Sequence, residues 1–157
     1  MNAITAAALC AAMISAHMPR AKYACTHAKR VVKHCQKHKL DPIVFVSLIH
    51  VESNWLPHVV SYANACGLTQ VIPKYSRGYT CKQLKDPKTS IKVGTRILGY
   101  WLHKYAKGNY YTALCGYNAG FRCKGKNKNK YGVVYSKKVM KMATRIMYHA
   151  EDTQAKN

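Results

Sequence analysis

Acidic residues are almost missing from this chain. Its 157 residues contain three Asp and two Glu against 26 Lys and Arg, a formal net charge of +21. Any acid-base chemistry must therefore be done with very few carboxylates. No two of the seven cysteines have the C-x-x-C spacing that structural zinc sites usually use, so a zinc-built fold is excluded. His34 and His38 are four apart on a helical pattern, but no carboxylate or third ligand accompanies them. They read as part of a solvated basic face, and no metal or other cofactor is expected. Internal repeats, convincing strand patterns and a second domain are also lacking. The apolar stretch Ala3 to Ala16 is too short for a membrane anchor.

What is present is enough apolar residue for one real core. The apolar fraction is 48%, which excludes intrinsic disorder, and a chain of this length buries about 70% of its unfolded surface. The positive charge attracts polyanions: nucleic acid, anionic lipid or the bacterial cell wall with its acidic peptides. No known nucleic-acid module is visible, so no specific nucleic acid is expected as partner.

The alanine-rich start has the form of a signal-peptide core, with Ile14-Ser15-Ala16 as a small-residue cleavage site but no positive charge before it. Removing residues 1–16 takes out Cys10. It leaves Cys25, Cys35, Cys66, Cys81, Cys115 and Cys123, enough for three disulfides of unspecified pairing in an oxidising compartment. The expected organisation is a leader over 1–16, one domain over 17–150 and a polar tail over 151–157.

Periodicity gives helices throughout. Tyr23 to Lys39 reads as one basic amphipathic helix with Ala28, Val31, Val32 and Cys35 inward. Asp41-Pro42 and Asp86-Pro87 are start signals, an accepting side chain followed by a residue that loses no bond in the first turn. The first of these helices runs to about Ser53. The second, with Ile91, Thr95, Leu98, Leu102 and Tyr105 on one face, runs on to Gly108. A third carries Tyr110, Ala113, Leu114 and Tyr117, and Val139, Met142 and Ile146 mark the last. Arg122 to Lys130 has no apolar period and reads as a surface loop. The fold class is all-α.

Four of the five acids have structural explanations: Asp41 and Asp86 as caps, Glu151 and Asp152 in the tail. Glu52 does not. It falls on the stripe of Phe45, Leu48 and Ile49 and near a helix C-terminus, and burial and the terminal carbonyls both disfavour its charge. A carboxylic acid kept protonated near neutral pH suits departure of a glycosidic oxygen. A glycosidase with one available acid must let the substrate take the second role. The alternative is a core Glu neutralised by Lys or Arg.

The ordered segments Glu52-Ser53, Gly67-Leu68-Thr69-Gln70-Val71-Ile72-Pro73, Asp86-Pro87 with Ile91 and Gly94, Gly116-Tyr117-Asn118-Ala119-Gly120, and Tyr135 ahead of Lys138-Val139 resemble the soluble lytic transglycosylase domain of glycoside hydrolase family 23. The resemblance covers about Val31 to Ile146. It implies a lysozyme-like fold and peptidoglycan glycan strands as substrate, cut between N-acetylmuramic acid and N-acetylglucosamine with a 1,6-anhydro-muramyl end as product. Glu52 is implied as acid and then base. Ser53 is implied to hold the Glu or a peptide stem, Gly67, Leu68, Thr69 and Gln70 to line the groove, and Tyr117 and Asn118 to lie near the reacting ring. Tyr135 is implied to bond Glu52 or substrate. Thr69 departs from the usual Met, trading an apolar sugar contact for a hydroxyl. Cys115 and Cys123 flank the Tyr-Asn-Gly turn, where a disulfide can tie the following loop.

The compact form is similar to secretion-associated and phage-encoded members, which implies an exported monomer acting at an anionic cell-wall surface. The rival readings are a hydrolytic goose-type lysozyme on the same fold and a basic nucleic-acid-binding or virion structural protein.

Overall fold

Both Asp-Pro pairs begin helices for the expected reason. In the computed structural model, which describes residues 4–123 and 129–154, Asp41 Oδ1 accepts from the backbone N–H of Ile43 at 2.7 Å and of Val44 at 3.4 Å. Asp86 Oδ2 accepts from the Thr89 N–H and hydroxyl at 2.9 and 2.8 Å. The helices are α1 (Ala6–Ser15), α2 (Ala21–Cys25), α3 (Ala28–Lys37), α4 (Pro42–Ser53), α5 (Cys81–Leu84), α6 (Pro87–Tyr100), α7 (Tyr110–Ala119) and α8 (Lys130–Gln154). Among the described residues there is no strand, only isolated bridges that pair Cys66 with Val60 and Val71. The all-α expectation holds.

Helix α4 is the axis of the core. Every residue from Ile43 to Ile49 is buried, so the expected single stripe is too narrow a description. The helix packs against α3 and α8, and a helix apolar on all sides must be enclosed on all sides. Val139, Ala143 and Ile146 of α8 are fully buried, while Met142 is half-buried at the margin.

Three expectations change. The basic helix expected over Tyr23 to Lys39 is broken at Thr26 and His27. There the backbone bonds tighten to three-residue spacing, and the Thr26 hydroxyl donates to the Tyr23 carbonyl at 2.7 Å. The helix from Pro87 widens into a π-helical segment over Trp101–Tyr105, where the Ala106 N–H donates to the Trp101 carbonyl. The Trp101 ring lies so close to Gly116 that a Cβ there would stand 2.5 Å from it. The last helix continues past Ala150 to Gln154, into the stretch expected to be a polar tail.

The cysteine pairing is a correction. The disulfides are Cys10–Cys25, Cys66–Cys81 and Cys115–Cys123, and Cys35 is the buried free thiol. Cys10, set aside with the leader, is therefore bonded. It sits on α1, whose Leu9, Ala12 and Met13 are in the main core and which packs on α8. Loss of residues 1–16 would open that core and leave Cys25 without its partner. The basic loop expected over Arg122 to Lys130 falls largely on residues 124–128, which lie outside the described residues.

Candidate active site

Glu52 is in the last turn of α4 and reaches an open cleft of about 570 Å³, lined also by Val51, Asn118, Lys130, Tyr131, Val134, Tyr135 and Lys138. Tyr135, from α8, donates its hydroxyl to Glu52 Oε1 at 2.6 Å. Burial pushes the Glu52 carboxyl up to about 7, and the hydrogen bond from Tyr135 offsets part of that rise. Among the described residues no cation contributes to the balance. The alternative of a core Glu neutralised by Lys or Arg is therefore not what these residues form. Tyr117 and Tyr135 are themselves held well above the usual phenol value, by burial first and then by the Glu52 charge, so both remain donors at physiological pH.

Behind Glu52 the Gly67–Gln70 turn is fastened by side chains expected to face the substrate. Ser53 Oγ donates to the Leu68 carbonyl at 2.8 Å and shares that proton with the Ile49 carbonyl at 3.2 Å. Tyr117 donates to the Thr69 carbonyl at 2.8 Å. Gln70 Nε2 donates to the carbonyls of Val59 at 3.0 Å and Gly67 at 2.9 Å. Gly67 has φ +77, and a Cβ on it would collide with the Leu84 carbonyl, so only glycine fits the turn.

Thr69 gives the clearest correction. Its side chain is fully buried and turned toward α6, where Oγ1 donates to the Ser90 carbonyl at 3.1 Å and lies 3.0 Å from the Ser90 hydroxyl. Gly94 makes this approach feasible, since a Cβ there would come within 2.6 Å of the Thr69 methyl. The hydroxyl expected to meet sugar instead satisfies a buried turn, because a polar group this deep must find a protein partner. Leu68 is likewise fully buried. Of the site residues expected from the sequence, Glu52, Asn118 and Tyr135 border this cleft. Ser53, Gly67, Leu68, Thr69, Gln70 and Tyr117 form the layer that holds it.

Lys130, Tyr131, Val134 and Lys138 were not anticipated. Their signal was present: Tyr131 and Tyr135 are four apart, and so are Lys130, Val134 and Lys138, which places all five along one face of α8. The absence of an apolar period before Tyr135 concealed it. Among the described residues no group of three or more His, Cys, Asp or Glu is placed to hold a metal.

The chain is 29% identical to membrane-bound lytic murein transglycosylase C of Actinobacillus pleuropneumoniae over 57% of its own length and 29% of the relative's. It is 30% identical to membrane-bound lytic murein transglycosylase E of Buchnera aphidicola, over 44% and 36% respectively. It thus spans about three-tenths of the transglycosylase C sequence. Its fold matches the 70 kDa soluble lytic transglycosylase of Escherichia coli with a TM-score of 0.70 at 20% identity, covering 91% of this chain and 29% of that one. It also matches an inactive mutant of the lytic transglycosylase Slt from Pseudomonas aeruginosa, with a TM-score of 0.68 at 18% identity over 88% and 25%. The transglycosylase SLT domain profile matches residues 30–140, which include Glu52, Tyr135 and the whole layer behind them, and the chain belongs to that family.

Proposed function

We propose that the protein is a peptidoglycan lytic transglycosylase in which Glu52 is the single acid and then base. The observation that carries this reading is a carboxyl raised to about 7 in an open cleft where, among the described residues, no second carboxylate lines the wall. The protonated Glu52 gives its proton to the glycosidic oxygen between N-acetylmuramic acid and N-acetylglucosamine. The substrate's acetamido group steadies the developing cation, the role that a second enzyme carboxylate fills in other glycosidases. Glu52, now ionised and held by Tyr135, takes the proton of the sugar's 6-hydroxyl as that oxygen closes on the anomeric carbon. The proton is returned, no water is consumed, and the product has a 1,6-anhydro-muramyl end.

Tyr135 positions Glu52 and favours its ionised form after the first proton transfer. Ser53, Tyr117 and Gln70 act one step back, by keeping the Gly67–Gln70 turn in place behind the acid. Asn118, exposed at the cleft edge, is the polar group offered to the sugar.

The setting proposed is the cell envelope or its exterior, with the protein a monomer. Support comes from three disulfides, which persist in oxidising compartments, and from the +21 charge, which favours an anionic wall. It comes also from the relatives named as membrane-bound murein transglycosylases. A secretion-associated or phage-encoded wall-opening enzyme fits that combination.

The test is mass spectrometry of the soluble products released from purified peptidoglycan by the wild type and by Glu52→Gln. Anhydro-muramyl products are expected, with release reduced at least a hundredfold in the variant. Reducing muramyl ends would make the enzyme a hydrolase, and no products from folded wild type would overturn the assignment.

A further inference from the structure

The helix that presents Tyr135 to Glu52 begins on a disulfide. Cys115 of α7 and Cys123 are bonded across the segment that carries Tyr117 and Asn118. With Ala119 they form a small buried core of their own, apart from the main one, and the half-buried Val133 packs against it. Gly132, in the first turn of α8, lies directly on the two sulfurs. A Cβ there would stand 2.7 Å from Cys115 Sγ and 3.0 Å from Cys123 Sγ, so the turn comes this close only because it lacks a side chain. The same joint fixes where α8 starts. The Arg122 carbonyl, next to Cys123, accepts from the Asn129 N–H at 2.9 Å, and Asn129 Oδ1 caps the helix by accepting from the Gly132 N–H at 3.0 Å. Arg122 Nε donates in turn to the Ala119 carbonyl at 3.1 Å. Gly132 is one turn before Tyr135 on the same side of α8, and its neighbours Tyr131 and Val134 line the cleft.

We infer that the Cys115–Cys123 disulfide is a positioning element of the active site, which seats the first turn of α8 on α7 and so keeps Tyr135 on Glu52. Its effect on turnover rests on the transglycosylase reading above; its effect on the state of Glu52 does not. Side chains that are no longer bonded move out to van der Waals distance. Gly132 leaves them no slack, so the turn moves off and water reaches Glu52. Burial is the larger of the two influences on that carboxyl, so its pKa falls toward the ordinary carboxylate range and less of the acid form remains at neutral pH.

The experiment titrates Glu52 by carbon NMR of protein labelled at the glutamate carboxyl carbons, with exposed Glu151 as the other signal, and measures kcat for anhydro-product release from peptidoglycan. Cys115→Ser/Cys123→Ser keeps two side chains of similar size without the bond. It is expected to lower the Glu52 midpoint by about one pH unit and kcat by about ten- to a hundredfold. Gly132→Ala keeps the bond but pushes the turn off it, and should move both readings the same way although alanine favours a helix. Cys10→Ser/Cys25→Ser opens a longer loop, 15 residues against 8, and so loses at least as much stability, yet should leave both readings as in wild type. An unmoved midpoint in the folded double serine protein or in Gly132→Ala, or the same shift in the Cys10→Ser/Cys25→Ser control, would overturn the inference alone. If the double serine protein does not fold, Gly132→Ala decides. Absence of product from wild type would overturn the transglycosylase reading, and the Glu52 midpoints would still decide this one.

Discussion

Tyr135 donates to Glu52 across 2.6 Å from a helix 83 residues further along the chain. The hydrogen bond favours the carboxylate and opposes the burial that favours the acid. The carboxyl is thereby poised near neutrality, as the proposed use of Glu52 first as acid and then as base requires.

Tyr135→Phe should raise the Glu52 pKa above its present value of about 7, because the bond that lowers it is gone. A hydrogen bond to a charged group contributes about 1.5–3 kcal/mol, so kcat is expected to fall roughly ten- to a hundredfold. The alkaline limb of the pH–rate profile should move to higher pH. A limb that stayed in place would show that the hydroxyl does not tune Glu52.

Glu52→Gln should change stability in a pH-dependent way. The folded protein holds the Glu52 proton more tightly than the unfolded chain, so that contribution is complete below the ordinary carboxylate pKa and is lost as pH rises through about 7. At pH 8 the neutral amide avoids burying a charge and is expected to stabilise the fold by about 2–3 kcal/mol. At pH 4 the difference should nearly vanish. Thermal midpoints at both values measure it.

Thr69→Val removes the hydroxyl that donates to Ser90 while keeping its shape. The expected cost is about 1–2 kcal/mol of stability with little change in KM, since the side chain is turned away from the cleft. A large rise in KM at unchanged stability would place Thr69 against substrate after all.

Cys10→Ser should lower stability by about 3 kcal/mol, the usual contribution of a disulfide closing a loop of 15 residues. Deleting residues 1–16 should be worse, because Leu9, Ala12 and Met13 leave the core as well. The intact protein's mass should be short by two hydrogens for each of three disulfides. Burial pushes the Cys35 thiol up, so it should resist alkylation until the chain is unfolded.

Much of the fold was legible because its signals are local. The two Asp-Pro caps, the end of α4 and the all-helical class depend on residues within a turn of one another. Glu52 was legible as well, for an acid on an apolar helix needs a reason wherever the chain places it. The break at Thr26 and His27 and the π-helical segment at Trp101 were not, because helical periodicity runs through both.

The acid, the scarcity of rivals to it and the order of motifs that marks the family are all written in the order of residues along the chain. Which neighbours border the cleft and which support it from behind depends on contacts between distant segments. Thr69 and Gln70 lie one residue apart in a motif expected to meet sugar, and both are taken up by protein carbonyls. Cys10 pairs with Cys25 rather than being set aside, since α1 finds its apolar contacts on α8 at the far end of the chain. Tyr135 reaches Glu52 because α4 and α8 pack together, a contact between residues too distant in sequence for any local pattern to register.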